Sequence, residues 1–79
     1  MKIQILGMGC PKCNALEANA RAAAAELGLA AEFEKVADID AIHGMGVMMT
    51  PALVVDGDVK SAGKLLGKDQ IVAILQDGR

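Results

Sequence analysis

The chain has no tryptophan and no tyrosine, and a single phenylalanine among 79 residues. Nucleic-acid bases would find few rings on which to stack, and no run of Lys or Arg offers a stripe for phosphates. With a formal net charge of -2, nucleic acid is not an expected partner. No apolar run approaches the roughly 20 residues that span a bilayer. The N-terminus enters a strand pattern at once, without the apolar stretch and cleavage site of a signal peptide. A cytoplasmic location and no membrane partner are therefore expected. Cysteine is scarce as well, with two residues, Cys10 and Cys13. A bridge between them closes too short a loop to add much through chain entropy. In a cytoplasmic chain such a pair points to catalysis or metal binding rather than to a structural staple.

The length predicts one domain, residues 1–79, near the lower limit for a self-sufficient core. Hydrophobic residues make up 53% of the chain, but much of that share is alanine, which buries little area. The larger core candidates are Ile3, Ile5, Leu6, Leu16, Leu27, Phe33, Val36, Leu53, Val54, Val55, Ile71, Ile74 and Leu75. A monomer of modest stability is expected.

Lys2-Ile3-Gln4-Ile5-Leu6 reads as a first strand, stopped by Gly7-Met8-Gly9. Pro11 suits the first position of a helix, where its missing N–H costs nothing. That helix runs from about Pro11 to Leu27, with Leu16, Ala20, Ala23, Ala24 and Leu27 on one face and Glu17 and Arg21 one turn apart. Gly28 supplies a left-handed stop. A strand follows over Glu32–Val36, then a short helix capped by Asp38 and ended by Gly44. Ala52–Val55 is apolar throughout and reads as a central strand. Asp56-Gly57 turns it into a fourth strand at about Val59–Ala62. Lys68–Gln76 closes the chain as an amphipathic helix. The order βαβαββα predicts an α/β fold, with a four-stranded mixed sheet flanked by three helices and the first and third strands in its middle.

Cys10 and Cys13 fall where the first strand gives way to the first helix. A sulfur at a helix start faces unpaired N–H groups and the positive end of the helix dipole, both of which favour thiolate over thiol. The same pair suits a soft metal ion. Spacing alone leaves both chemistries open.

Two separated motifs carry a resemblance. Gly9-Cys10-Pro11-Lys12-Cys13 follows the first strand, and Thr50-Pro51 stands immediately before the third, with an Asp-Gly hairpin after it. Together they resemble the thioredoxin fold, and in size and detail the small thioredoxin- and glutaredoxin-like redox-active disulfide proteins of archaea and bacteria. The resemblance implies a thiol–disulfide oxidoreductase whose Thr50–Pro51 peptide is cis and lies beside a Cys10–Cys13 disulfide. It implies Cys10 as the exposed nucleophile, tuned by Pro11 and Lys12 at the helix start, and Cys13 as the resolving cysteine nearer the core. Thr50, Pro51 and Met49 are then the substrate-binding residues, with Thr50 backbone groups holding the substrate as an added strand. No cofactor beyond the cysteine pair is expected. The partners implied are a protein with a disulfide and a reductase to return electrons. Met8, Met48 and Met49 are candidates for an adaptable apolar groove, with at least one of them expected in the core.

The chain departs from the family at several positions. Met8-Gly9 stands where thioredoxins carry Trp, and Gln4 stands where they carry a buried acid, so the base for Cys13 is not identified. Lys12 occupies the place of a glutaredoxin Tyr. Ser61-Ala62-Gly63 is only a rough counterpart of the glutathione-binding segment, which speaks against glutathione as a dedicated substrate. His43, near a helix end, is assigned to local hydrogen bonding rather than to proton transfer. The segment from Lys2 to Cys13 also resembles heavy-metal-associated domains, which would make the pair a copper or zinc carrier. Those domains place a hairpin directly after the first helix and finish with a strand, unlike the order read here. A third alternative is a binding module that keeps the fold without turning over substrate.

Overall fold

Alternation along the first strand divides the molecule into two cores. The computed structural model describes residues 1–9 and 11–77. Its elements are β1 (Lys2–Leu6), α1 (Pro11–Glu26), β2 (Glu32–Val36), α2 (Ile39–Gly44), β3 (Ala52–Val55), β4 (Asp58–Ala62) and α3 (Lys68–Asp77). The four strands form one sheet in the order β2-β1-β3-β4. β1 and β2 are parallel, and β3 is antiparallel to both β1 and β4. This is the α/β thioredoxin fold, with β1 and β3 central.

Ile3 and Ile5 of β1, with Leu53 and Val55 of β3, project from one face of the sheet. They pack on Leu16, Ala20, Ala23 and Ala24 of α1 and on Ile71 and Leu75 of α3. Small side chains on α1 let its backbone come close to the strands, so that Ile3, Ile5, Leu53 and Val55 are all buried. Leu6, Ala52 and Val54 point to the other face and meet Ile42 of α2 and Val47. Four expected core residues, Leu27, Phe33, Val36 and Ile74, are only half-buried. Phe33 and Val36 lie on β2, an edge strand with one open side, and Leu27 lies beyond the last turn of α1. Ile42, Val47, Ala52 and Leu66 complete the interior.

Both helices that precede a crossover end in the same way. After α1, Gly28 (φ 66) donates its N–H to the Ala25 carbonyl and Leu29 donates to that of Ala24. These are the paired bonds of a Schellman motif. After α2, Gly46 (φ 82) donates to His43 and Val47 donates to Ile42. The left-handed residue that stops α2 is thus Gly46, not Gly44, which is still helical. The displacement follows from packing, because this register brings Val47 onto Ile42 in the second core. At the start of α2 the Asp38 carboxylate accepts from the Asp40 N–H at 2.9 Å. Asp56 (φ 50) and Gly57 (φ 86) form the hairpin between β3 and β4 with two positive φ angles, as a type I′ turn requires.

Polar contacts hold α1 against β2. Glu17 meets Arg21 at 3.0 Å and Lys35 at 3.3 Å, and the Arg21 guanidinium lies 4.5 Å from the Phe33 ring centroid. Burial pushes the Glu17 carboxyl up, but hydrogen bonds from Arg21 and Lys35, with their positive charges, hold it below its ordinary value of 4.5. A carboxyl lowered on folding lends stability above its unfolded value and loses it as pH falls through the folded one. Glu17→Gln is therefore expected to lose less stability than the wild type as pH drops below 4.5. Urea unfolding at neutral and acid pH checks this, and equal acid sensitivity of the two chains would contradict it.

Candidate active site

Ile3 and Ile5 turn toward α1, and the alternation continues to Gly7, just past the end of β1. Gly7 still belongs to the ladder, since its N–H donates to the Val36 carbonyl at 2.9 Å. Opposite it sits Cys13, in the first turn of α1 and only 2% exposed. The two are in intimate contact. A Cβ built on Gly7 would fall 2.8 Å from Cys13 Cβ and would overlap Cys13 Sγ. Cys13 is disulfide-bonded, and the sequence holds one other cysteine, Cys10. Cys10, the expected nucleophile, lies outside the described residues. Pro11 and Lys12 are exposed, and no acidic residue occupies the first turn of α1. A negative charge forming at this helix end meets the positive pole of the dipole without a competing carboxylate on that turn.

The antiparallel pairing of β1 with β3 sets Leu6 opposite Ala52. One step further along both strands lie Gly7 and Pro51, so the two approach the same end of the sheet. The Thr50–Pro51 peptide is cis. Pro51 is buried, and its carbonyl accepts from the Gly63 N–H at 2.8 Å, closing the end of β4 against it. Thr50 is exposed. Among the described residues, none makes a backbone hydrogen bond to the Thr50 N–H or carbonyl.

Met8, Met48 and Met49 are 59%, 77% and 64% exposed. None enters either core, which corrects the expectation that at least one would. Val47 takes the interior place beside Ile42, and Pro51 is the next buried residue. The three residues between them bridge over the outside. Met49 is not loose, because its side chain lies against Gly63, where an added Cβ would stand 3.0 Å from Met49 Cε. In the sequence Gly7 reads only as part of the stop after the first strand, and Gly63 only as a rough counterpart of a glutathione-binding segment. A signal for Gly7 was present, since it extends the Ile3, Ile5 alternation toward the helix that carries Cys13.

Gln4 is half-buried, and its amide Nε2 donates to Glu34 Oε1 at 2.7 Å. Lys2 Nζ approaches the other Glu34 oxygen at 3.9 Å. His43 is exposed in the last turn of α2. Among the described residues no three His, Cys, Asp or Glu gather as metal ligands, and no helix is long and apolar enough to cross a membrane.

Comparison with known proteins gives a consistent result. A family model described as a thioredoxin domain matches residues 1–76. A protein named thioredoxin from Methanothermobacter thermautotrophicus is 49% identical over 75 residues, 95% of this chain and 97% of the relative. One of the same name from Methanocaldococcus jannaschii is 39% identical over 69 residues, 87% of this chain and 79% of the relative. Neither the family match nor these names lends support to a metal carrier.

Exposure of the three methionines has a direct chemical consequence. Brief treatment with hydrogen peroxide is expected to convert Met8, Met48 and Met49 to sulfoxides before the half-buried Met1 and Met45. Peptide mass mapping over a time course reads the order, and early oxidation of Met45 would contradict the placement.

Proposed function

The chain belongs to the thioredoxin family, and on that premise we propose that it is a thiol–disulfide oxidoreductase working through Cys10 and Cys13. What chiefly supports this is the seat of Cys13, with its sulfur buried at the start of α1 against Gly7, at the sheet end that Pro51 also approaches. The helix end lowers the Cys10 thiol below the ordinary value of about 8.5, with Lys12 adding positive charge. Cys10 thiolate attacks one sulfur of a substrate disulfide. That S–S bond breaks, a Cys10–substrate bond forms, and the displaced sulfur takes up a proton. Cys13, once deprotonated, attacks the Cys10 sulfur and expels the second substrate thiol. The substrate has then gained two electrons and two protons, and the cysteine pair is a disulfide. A reductase returns the electrons in the reverse sequence.

The substrate segment docks as an added strand on the Thr50 backbone, whose groups no described residue engages. Met8, Met48 and Met49 give it an apolar, adaptable flank. No cofactor beyond the cysteine pair is invoked. The site of action proposed is the cytoplasm, with the chain as a monomer acting on a protein disulfide.

Purified protein is expected to reduce insulin disulfides in the presence of dithiothreitol, and Cys10→Ser is expected to abolish this. Cys13→Ser should accumulate a mixed disulfide on Cys10, seen as a reducible adduct by mass spectrometry. A wild-type chain with no reductase activity would refute the proposal. Adducts held by Cys13 in the Cys10→Ser variant instead would reverse the two roles. Replacing Met48 and Met49 together by Ser is expected to raise KM for insulin severalfold with kcat little changed, because binding and not chemistry loses contacts.

A further inference from the structure

Gly9, Gly28, Gly46, Gly57 and Gly63 all adopt positive φ, where the backbone itself calls for glycine. Gly7 does not. Its backbone stays in the ladder beside Val36 and would accept an L side chain. What bars one is Cys13, whose Cβ and Sγ occupy the space a Cβ would need.

We propose that Gly7 is a positioning residue that sets the balance between the dithiol and disulfide forms of the cysteine pair. The proposal rests on the exchange function described above. The backbone of α1 fixes Cys13 Cβ, so crowding between that atom and a new Cβ at position 7 burdens both redox forms alike. Sγ differs. As a thiol it is no longer tied to the partner sulfur and can turn to another staggered position about χ1. As half of a disulfide it is tethered and keeps its place against Gly7. Any side chain at position 7 therefore disfavours the oxidised form selectively, and glycine leaves the volume that the oxidised sulfur needs.

The equilibrium with glutathione reads this directly. The Cys10–Cys13 disulfide and two glutathione thiols give the protein dithiol and glutathione disulfide, with two electrons and two protons passing to the protein. Gly7→Ala is expected to shift this equilibrium about tenfold toward the dithiol, in line with the cost of overpacking. That corresponds to a couple about 30 mV more oxidising. Gly44→Ala serves as the control, because Gly44 has no positive φ and no neighbour within 4 Å of an added Cβ. It is expected to leave the equilibrium unchanged.

A wild-type chain that exchanges while Gly7→Ala matches it within about twofold would overturn the assignment of Gly7 alone. A wild type that does not exchange with glutathione or dithiothreitol would overturn the exchange function and the proposal with it. Should Gly7→Ala fail to fold, the Gly7→Ala/Cys13→Ala pair decides, since it lacks Sγ. Recovery of folding, read by cooperative urea unfolding, would assign the conflict to the sulfur as proposed. Failure of the pair as well would assign it to the Cβ contact that both redox forms share and overturn the proposal.

Discussion

Everything in this molecule depends on how closely the first helix lies on the central strand. Alanines at 20, 23 and 24 bring α1 down onto Ile3 and Ile5 with no gap to fill. At its N-terminal end the helix meets Gly7, and there the Cys13 side chain fills the space that a Cβ on Gly7 would take. The Cys13 sulfur is thereby part of the packing. It has the rigidity of the core on one side and the exposed helix start, with Pro11 and Lys12, on the other.

The opposite side of the site is positioned by a chain of short-range events. The Schellman bonds after α2 carry Val47 onto Ile42, and that contact pins one end of the segment leading to β3. Pro51 and the Gly63 N–H pin the other. Between two buried anchors the three intervening residues have no interior left to fill, so Met48, Met49 and Thr50 stand outward. The outward stance of this segment is the consequence of where its neighbours are buried.

The elements were legible because each carries a local signal: alternation in Lys2–Leu6, Gly28 after the long helix, Asp38 before the short one, and Asp56-Gly57 in the hairpin. Burial was legible only where one element's own pattern decides it. Phe33 and Val36 have the composition of interior residues, but β2 is an edge strand, and strand order is a property of the whole sheet. Ile42 and Val47 belong to a six-residue helix and its cap, too short for a periodicity to display a face. Two glycines, Gly44 and Gly46, were equally able to end that helix, and the Val47–Ile42 contact chose between them. At the site, the cysteine pair and Thr50-Pro51 were legible as motifs. Met8, Met48 and Met49 were legible as candidates for a groove, but not that all three stand outward, since apolar character says nothing of which neighbours have already filled the interior.

One irregularity in the sheet bears on how the protein behaves at high concentration. Between Leu53 and Val54 the register of β3 against β4 slips, with Ser61 opposite Leu53 and Val59 opposite Val54, so Lys60 is an extra residue in the outer strand. A bulge there bends the open edge and interrupts its row of hydrogen-bonding groups, and the lysine adds charge to it. A neighbouring molecule approaching along that edge meets no straight template to extend. The fold thus leaves three methionines outward at one end of the sheet while blunting the β4 margin against edge-to-edge aggregation.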